Sequence, residues 1–258
     1  MKRYFQDYFK RIFSEVKKSE LIYWWILRAL MIYAFIDTVK NGKDYSGSNP
    51  PAQILANLVG MFAYEIIQFF PKNCKLRLLS PRFQNITLLG FFLGSFGGAY
   101  LNLYYSLPMY DKILHATGTA EAVYIGYEYV CATQLKINKT CPHQIASFAS
   151  LGFGFIMSSA WELFEFVYDQ FFGGDAQHWN LQNAINESGS IDKIFQMFPI
   201  KDMEIFAQRF PLMDTMADIV MNFVGGFIMY AVLRFYPYRH RGKNDINALI
   251  EKNQNSGD

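Results

Sequence analysis

The chain has 258 residues, of which 52% are hydrophobic and 18% aromatic, and its formal net charge is only +2. No nucleic-acid-binding motif accompanies this charge, so nucleic acid is not predicted as a partner. The mean hydropathy of +0.04 is low for a membrane protein. However, it averages long apolar runs with polar ends, and one bilayer-spanning helix needs about 20 mostly apolar residues.

Residues 1–20 predict an amphipathic cytoplasmic segment and not a cleaved signal peptide. No short apolar stretch with a small-residue cleavage site follows the basic start. One side of the predicted helix is apolar, formed by Phe5, Phe9, Ile12, Phe13 and Val16. This pattern is typical of a helix on an anionic membrane surface. A solvated helix before the first span is the alternative.

Six apolar runs of spanning length follow. They cover residues 21–39, 52–70, 85–106, 112–132, 145–171 and 214–236. The runs are long and do not alternate as barrel strands do. The predicted fold class is therefore all-α, a polytopic membrane protein with a six-helix transmembrane domain over 21–236. Within it, 173–212 is predicted as a long extracytoplasmic loop, and 237–258 is predicted as a cytoplasmic tail. Buried helices of a soluble protein are the alternative.

The distribution of Lys and Arg predicts the orientation. With six spans both termini share one side, and that side holds 17 of the 24 Lys and Arg residues, whereas the other side holds six. The positive-inside rule then places both termini in the cytoplasm, with the protein in the plasma membrane. Cys74, Cys131 and Cys141 all fall near the cytoplasmic side, where disulfides do not persist.

Spans four, five and six each carry polar residues in their predicted outer halves. The residues are Asp111, His115 and Thr119 in span four, Glu162, Glu165 and Asp169 in span five, and Asp214, Asp218 and Asn222 in span six. Spacings of three or four residues place each set on one helix face. Because acids are costly against lipid, we expect the three faces to form one polar pocket. Gly225 and Gly226 would let span six approach its neighbours.

The charge of this pocket needs compensation. Six carboxylates cannot all stay ionised in a low-dielectric pocket unless protons, a cation or basic side chains compensate them. Basic partners are few, namely Lys112, His115 and Arg209. A divalent metal is therefore predicted, and the donor types suit Zn, Mn, Mg or Ca. The alternative is a structural polar network, with Asp111 and Asp214 favoured at predicted helix N-termini.

Three motifs in residues 110–230 carry a resemblance. "YDKILH", "WELFEF" and "DTMADIVMNFVGG" resemble the VanZ-like membrane protein superfamily, and more closely its YjdF-type inner-membrane relatives. The resemblance implies a cell-envelope role and points to Asp111, Lys112, His115, Glu162, Asp214, Asp218 and Asn222. Two features depart from the pattern. Glu165 stands where VanZ-like proteins usually have Gln, and about forty residues separate the second and third motifs.

Three functions fit these observations. The first is a metal-dependent hydrolase or transferase for a lipid or lipid-linked substrate. Its predicted metal ligands are Asp111, His115, Glu162, Asp214 and Asp218. The predicted catalytic residues are His115, Glu162 and Glu165, as general acid and bases. The predicted substrate-binding residues are Lys112, Arg209, Asn222 and Asp169. The second function is a cation- or proton-coupled transporter, and the third is a non-catalytic protein that binds a partner.

Other polar residues in the spans are treated separately. Arg28 and Glu65 lie at comparable depth and are predicted to pair, because an intramembrane charge usually has a partner. A transporter path through the inner half would need these two residues and Glu121. Glu128 lies near the end of its span and is predicted to be solvated. Trp161 is predicted to be a packing residue or an interface anchor.

Overall fold

The computed structural model describes most of the helical part of the chain. The described residues are 9, 12–42, 50–71, 74–107, 109–138, 143–172, 176–177, 182, 185, 189–190, 192 and 203–235, with the backbone alone for 135–138, 172 and 203–211. Every regular element in these ranges is helical, which confirms the all-α prediction. The helices are α1 (Lys18–Asn41), α2 (Pro50–Gly60), α3 (Ala63–Gln68), α4 (Pro81–Phe92), α5 (Leu103–Ser106), α6 (Tyr110–Asn138), α7 (His143–Phe172) and α8 (Met203–Phe235).

Local hydrogen bonds mark both ends of α1. The backbone N–H of Lys17 donates to a carboxylate oxygen of Glu20 (2.9 Å), which satisfies a donor at the helix start. At the other end, Gly42 takes a left-handed φ of 59°, and its N–H donates to the carbonyl of Thr38. The 24 residues between these signals are enough to cross a bilayer.

The second apolar run is not a continuous helix. A turn at Met61 and Phe62 separates α2 from α3. The carbonyl of Met61 accepts hydrogen bonds from Nε (3.1 Å) and Nη2 (2.6 Å) of Arg28. Nη2 of Arg28 also lies 2.7 Å from Oε1 of Glu65, which confirms the predicted ion pair. Arg28 therefore connects α1 to the broken run with its charge compensated.

The third apolar run changes geometry midway. α4 continues into a π-helix, Leu93–Tyr100, and the N–H of Leu101 donates to the carbonyl of Phe96, five residues back. Gly98 lies under the ring of Tyr104, because a Cβ at position 98 would meet a ring carbon at 2.2 Å. Because Gly98 has no side chain, the ring of Tyr104 in α5, the next helix, can pack directly on its backbone.

α6, α7 and α8 pack against one another. α6 and α8 run in the same direction, since polar pairs join their corresponding ends, and α7 runs the opposite way. A Cβ at Gly225 in α8 would lie 1.8 Å from the carbonyl oxygen of Ala116 in α6. Gly226 lies against Phe155 and Thr119 in the same way, with Cβ distances of 2.8 Å and 3.3 Å. The predicted close approach at these two glycines is confirmed.

Two of the described helices are long and apolar enough to cross a membrane, Lys18–Asn41 and Leu212–Phe235. α6 and α7 have 29 and 30 residues, ample length for a span, but they carry acidic side chains that lower their hydropathy. α8 begins at Met203 and not at 214, so the helical part of the chain extends into the predicted 173–212 loop.

The N-terminal amphipathic pattern is divided between core and surface. Ile12 and Val16 are buried, whereas Phe9 and Phe13 are 52% and 69% exposed. The predictions made for 1–11, for 173–202 and for the 237–258 tail otherwise fall on residues outside the described ranges, apart from positions 9, 176–177, 182, 185, 189–190 and 192.

Candidate functional site

Lys112, near the start of α6, stands among three aspartates. Its Nζ lies 2.9 Å from Asp111, 2.7 Å from Asp214 and 2.7 Å from Asp218. The side chains of Lys112, Asp214 and Asp218 are almost fully buried. An ammonium group therefore compensates the part of the cluster that joins α6 to α8, and these contacts favour a charge-balancing role for Lys112 over substrate binding.

Asp214 does not cap a helix. It lies eleven residues after Met203, where α8 begins, so the helix dipole at the N-terminus is too far away to stabilise it. Asp111, in contrast, is in the first turn of α6, where a negative charge is favoured. The favourable position at a helix N-terminus therefore applies to Asp111 and not to Asp214.

His115 lies one turn further along α6, between two groups of acids. Its Nε2 is 3.6 Å from Asp111 and 3.6 Å from Asp218, and its Nδ1 is 3.3 Å from Oε1 of Glu162. The side chain is only 8% exposed. The two ring nitrogens thus face different carboxylates, one set beside Lys112 and one on α7.

Glu162 connects the three helices. Its Oε1 accepts a hydrogen bond from Nδ2 of Asn222 (3.4 Å), and Oδ1 of Asn222 in turn accepts one from the hydroxyl of Thr119 (2.7 Å). The other oxygen of Glu162, Oε2, is buried and has no hydrogen-bond partner in the described part of the chain. A buried carboxylate oxygen in this state is costly and indicates a missing partner.

Glu165 lies one helical turn from Glu162 and is also buried. Its Oε1 accepts a hydrogen bond from the indole N–H of Trp161 (2.7 Å), although Trp161 itself is 44% exposed. The sequence alone indicated packing or interface anchoring for this tryptophan. The spacing of four residues on one helix was the signal that could have revealed its contact with the acid.

The carboxylate of Asp169, the last acid along α7 in this cluster, is bound by backbone N–H groups. Its two carboxylate oxygens accept hydrogen bonds from the N–H groups of Ala176 (2.6 Å) and Gln177 (2.8 Å). The side-chain amide of Gln177 also donates to Thr215 of α8 (3.3 Å). These contacts favour a structural role for Asp169 over the predicted substrate-binding role. The side chain of Arg209 lies outside the described residues.

Two acids of α6 lie away from this cluster. Glu121 packs against Gly90 of α4, where a Cβ would be 2.6 Å from its carboxylate. Glu128 is 2% exposed and accepts hydrogen bonds from Ser80, at the start of α4, and from Tyr124. The prediction that Glu128 is solvated is therefore wrong, because its carboxylate replaces water at the N-terminus of α4.

The donor atoms suit a cation in two overlapping groups. Asp111, His115 and Asp218 form one, and His115, Glu162 and Glu165 form the other, with all donor atoms of a group within 4.8 Å of one another. This separation is about twice a metal–oxygen distance of about 2.4 Å. Asp111 and Asp218 already face the ammonium of Lys112, so the second group is the better cation site.

Together the helices and the cluster define a class, that of helical membrane proteins with a buried polar site. The family of predicted membrane proteins called DUF2238 matches residues 19–239, and the chain belongs to it. The match covers every residue of the cluster. It supports the membrane class indicated by the resemblance, and the VanZ-like and YjdF-type likeness stays a prediction. No curated protein and no solved structure matches the chain.

Proposed function

We propose that this membrane protein is a metal-dependent hydrolase or transferase of the cell envelope that acts on a lipid or lipid-linked substrate. The observation that supports the proposal is the position of His115. One ring nitrogen faces Glu162 at 3.3 Å, and the other faces Asp111 and Asp218 at 3.6 Å. A ligating histidine usually has this arrangement, with a carboxylate on its second nitrogen.

The same residues give the metal a definite place in the proposal. His115, Glu162 and Glu165 hold the cation, and the unpartnered Oε2 of Glu162 is a ready ligand. Three protein ligands leave coordination positions open, as in catalytic sites. A bound divalent cation would supply Lewis-acid activation of water or of a substrate oxygen. Asp111 and Asp218 would then orient His115, while Lys112 balances their charge.

A membrane topology belongs to this proposal. The protein crosses the plasma membrane six times with both termini in the cytoplasm, and the cluster lies in the outer half. The length of α6 and α7, the apolarity of α1 and of 212–235, and the excess of Lys and Arg on one side support it.

A transporter is less well supported because, among the described residues, the charged side chains of the predicted inner half lie on other sides of the helices than the cluster. His115 and Glu121 are six residues apart, so a helix of 3.6 residues per turn directs them to different sides. Glu121 and Glu128 face α4, and Arg28 and Glu65 are paired among α1 and α3. A purely structural network accounts for Lys112 with its aspartates; it leaves Oε2 of Glu162 without a hydrogen-bond partner in the described part of the chain, where Oε2 of Glu65 also has none.

Metal binding tests the proposal directly. Chelator-treated protein in nanodiscs would be titrated with Zn²⁺, Mn²⁺, Mg²⁺ and Ca²⁺, with free Mn²⁺ read by electron paramagnetic resonance. We expect one ion per chain and a loss of affinity of at least about tenfold in Glu162→Gln, as for other perturbed metal sites. Asp37→Asn is the matched control, because Asp37 is an acid held by Tyr100 (2.8 Å) outside the cluster.

The outcomes distinguish a metal-dependent enzyme from a metal-free enzyme. Binding of no divalent cation, or unchanged affinity in Glu162→Gln, would contradict the metal site. In that case headgroup release from a panel of lipids would still test metal-free acid–base chemistry, with His115 as acid and a glutamate as base. If wild type releases no headgroup from any lipid of the panel, with or without metal, the enzyme proposal is wrong.

A further inference from the structure

We infer that a lipid reaches this site sideways from the bilayer, past Trp161, and that the indole of Trp161 positions Glu165 for it. The inference rests on the proposed function, since it names the side from which the substrate enters. It is carried by one contact, the hydrogen bond of 2.7 Å between the indole N–H of Trp161 and Oε1 of Glu165. This contact joins a buried acid of the cluster to an exposed apolar surface.

The outer end of the cluster is covered between α7 and α8. Ala176 and Gln177 are bonded through their N–H groups to Asp169, and the side chain of Gln177 reaches Thr215. These two residues therefore lie between the end of α7 and Thr215 of α8, directly against Asp169.

The boundary between α6 and α8 is closed as well. Lys112 bridges Asp214 and Asp218 at 2.7 Å each. Further along, Gly225 is in backbone contact with Ala116, so even a methyl group has no room there. A headgroup cannot pass between these two helices without separating them.

The side formed by α7 is different. Glu165 is 9% exposed, but Trp161 and Phe164 beside it are 44% and 54% exposed. The ring centroids of Trp161 and Phe164 lie 5.4 Å apart. These aromatic side chains face the region that lipid occupies around a membrane protein, and tryptophan is favoured where apolar and polar surroundings meet. Displacing the indole would uncover Glu165 to that region.

The expected ligand is therefore an amphiphile with its hydrocarbon chains in the bilayer. Its headgroup would reach Glu165 while the chains stay against α7, where Leu163 and Phe164 are exposed. A water-soluble substrate would not use this side. Glu165 has two carboxylate oxygens, so it can accept from Trp161 and still face His115 and Glu162.

Carbodiimides of different polarity test the route. Protein in nanodiscs would be treated with dicyclohexylcarbodiimide, which partitions into the bilayer, or with a water-soluble carbodiimide, and modified carboxyls would be located by mass spectrometry. We expect the apolar reagent to modify Glu165 and the water-soluble reagent to leave it intact. Glu128, buried on another side of α6 and bonded to Ser80, is the internal control and should stay unmodified.

The role of Trp161 needs a second measurement. In Trp161→Phe the ring is retained but the N–H is lost, so Oε1 of Glu165 loses its donor and modification of Glu165 should be severalfold faster. Trp25→Phe is the matched control, because Trp25 is 55% exposed on α1, away from the cluster. Equal rates in wild type and Trp161→Phe would contradict the positioning role.

The results also separate this inference from the proposed function. Modification of Glu165 by the water-soluble reagent, or none by the apolar one, would overturn the lateral route whatever the metal does. Addition of Mn²⁺ should protect Glu165 if it is a ligand. Apolar-specific modification that Mn²⁺ does not slow would support the lateral route and contradict the metal site.

Discussion

Gly225 is the position where a single added methyl group should separate two helices of the site. A Cβ there would lie 1.8 Å from the carbonyl oxygen of Ala116. An ordinary C···O contact is about 3.3 Å, so α8 would have to move roughly 1.5 Å away from α6. The obstacle is backbone, which cannot rotate aside as a side chain does.

The expected cost is the cost of overpacking together with weakened contacts nearby. Overpacking a well-packed interior typically costs about 1–3 kcal/mol. The hydrogen bond of 2.7 Å between Thr119 and Asn222, one turn from Gly225, would lengthen as well. Loss of a hydrogen bond adds about 0.5–1.5 kcal/mol. The gain in helix propensity on replacing Gly with Ala offsets about 0.5–1 kcal/mol of this cost, so we expect Gly225→Ala to lower the free energy of unfolding by about 0.5–4 kcal/mol.

Denaturation in detergent with a matched glycine provides the assay. Gly118 also lies inside a helix, α6, but is exposed, and nothing is within 4 Å of its added Cβ. Gly118→Ala should therefore be stabilising, by about 0.5–1 kcal/mol, from helix propensity alone. Equal stabilities of Gly225→Ala and Gly118→Ala would refute the close approach of α6 and α8.

Two further predictions concern the rest of the fold. Arg28→Ala should destabilise the protein by up to about 3–5 kcal/mol, the cost of breaking a buried pair, because it leaves the partly buried carboxylate of Glu65 without its partner. Denaturation beside Arg28→Lys measures this, and a neutral result would contradict the role of the pair. In a cysteine-free background, a cysteine placed at Ser46 should react with an impermeant thiol reagent on intact cells, and a cysteine placed at Asn138 should not react. The reverse pattern would refute the proposed topology.

The convergence of the polar residues was predictable because it depends on two general properties. Helical periodicity places residues spaced by three or four on one face. The cost of acids in lipid then turns such faces inward. Glu162 and Asp218 accordingly lie 3.3 Å and 3.6 Å from the ring nitrogens of His115. The pairing of Arg28 with Glu65 followed from the same cost of an unpaired charge.

What the sequence could not predict is how each acid is satisfied. Lys112 was expected to bind substrate, but it is adjacent to Asp111 in sequence and reaches Asp214 and Asp218 only through the packing of α8 on α6. Glu128 was expected to be solvated because it lies near the end of its span, but it accepts a hydrogen bond from Ser80, which is 48 residues away in sequence. Such partners depend on tertiary packing, which local spacing does not contain.

The breaks in the helices were also beyond local patterns. The run 52–70 reads as one apolar helix, but it turns at Met61, whose carbonyl is satisfied by Arg28 of another helix. The π-helix Leu93–Tyr100 packs its Gly98 against the ring of Tyr104, a contact between segments that local patterns do not describe. Apolar composition predicted that these segments are helical, not where the helices change.

The ammonium of Lys112 has a consequence for what happens when a chelator removes free cations. It is covalently part of the chain, so the three aspartates around it keep their counter-ion under every buffer condition in which Lys112 is charged. Because the pairs are buried, added salt screens them little. Depletion of metal should therefore leave the contacts between α6 and α8 intact. Any weakening of helix packing should begin at Glu162 and Glu165 on α7. If the proposed cation binds there, its exchange would need movement of α7 alone, while α6 and α8 stay together.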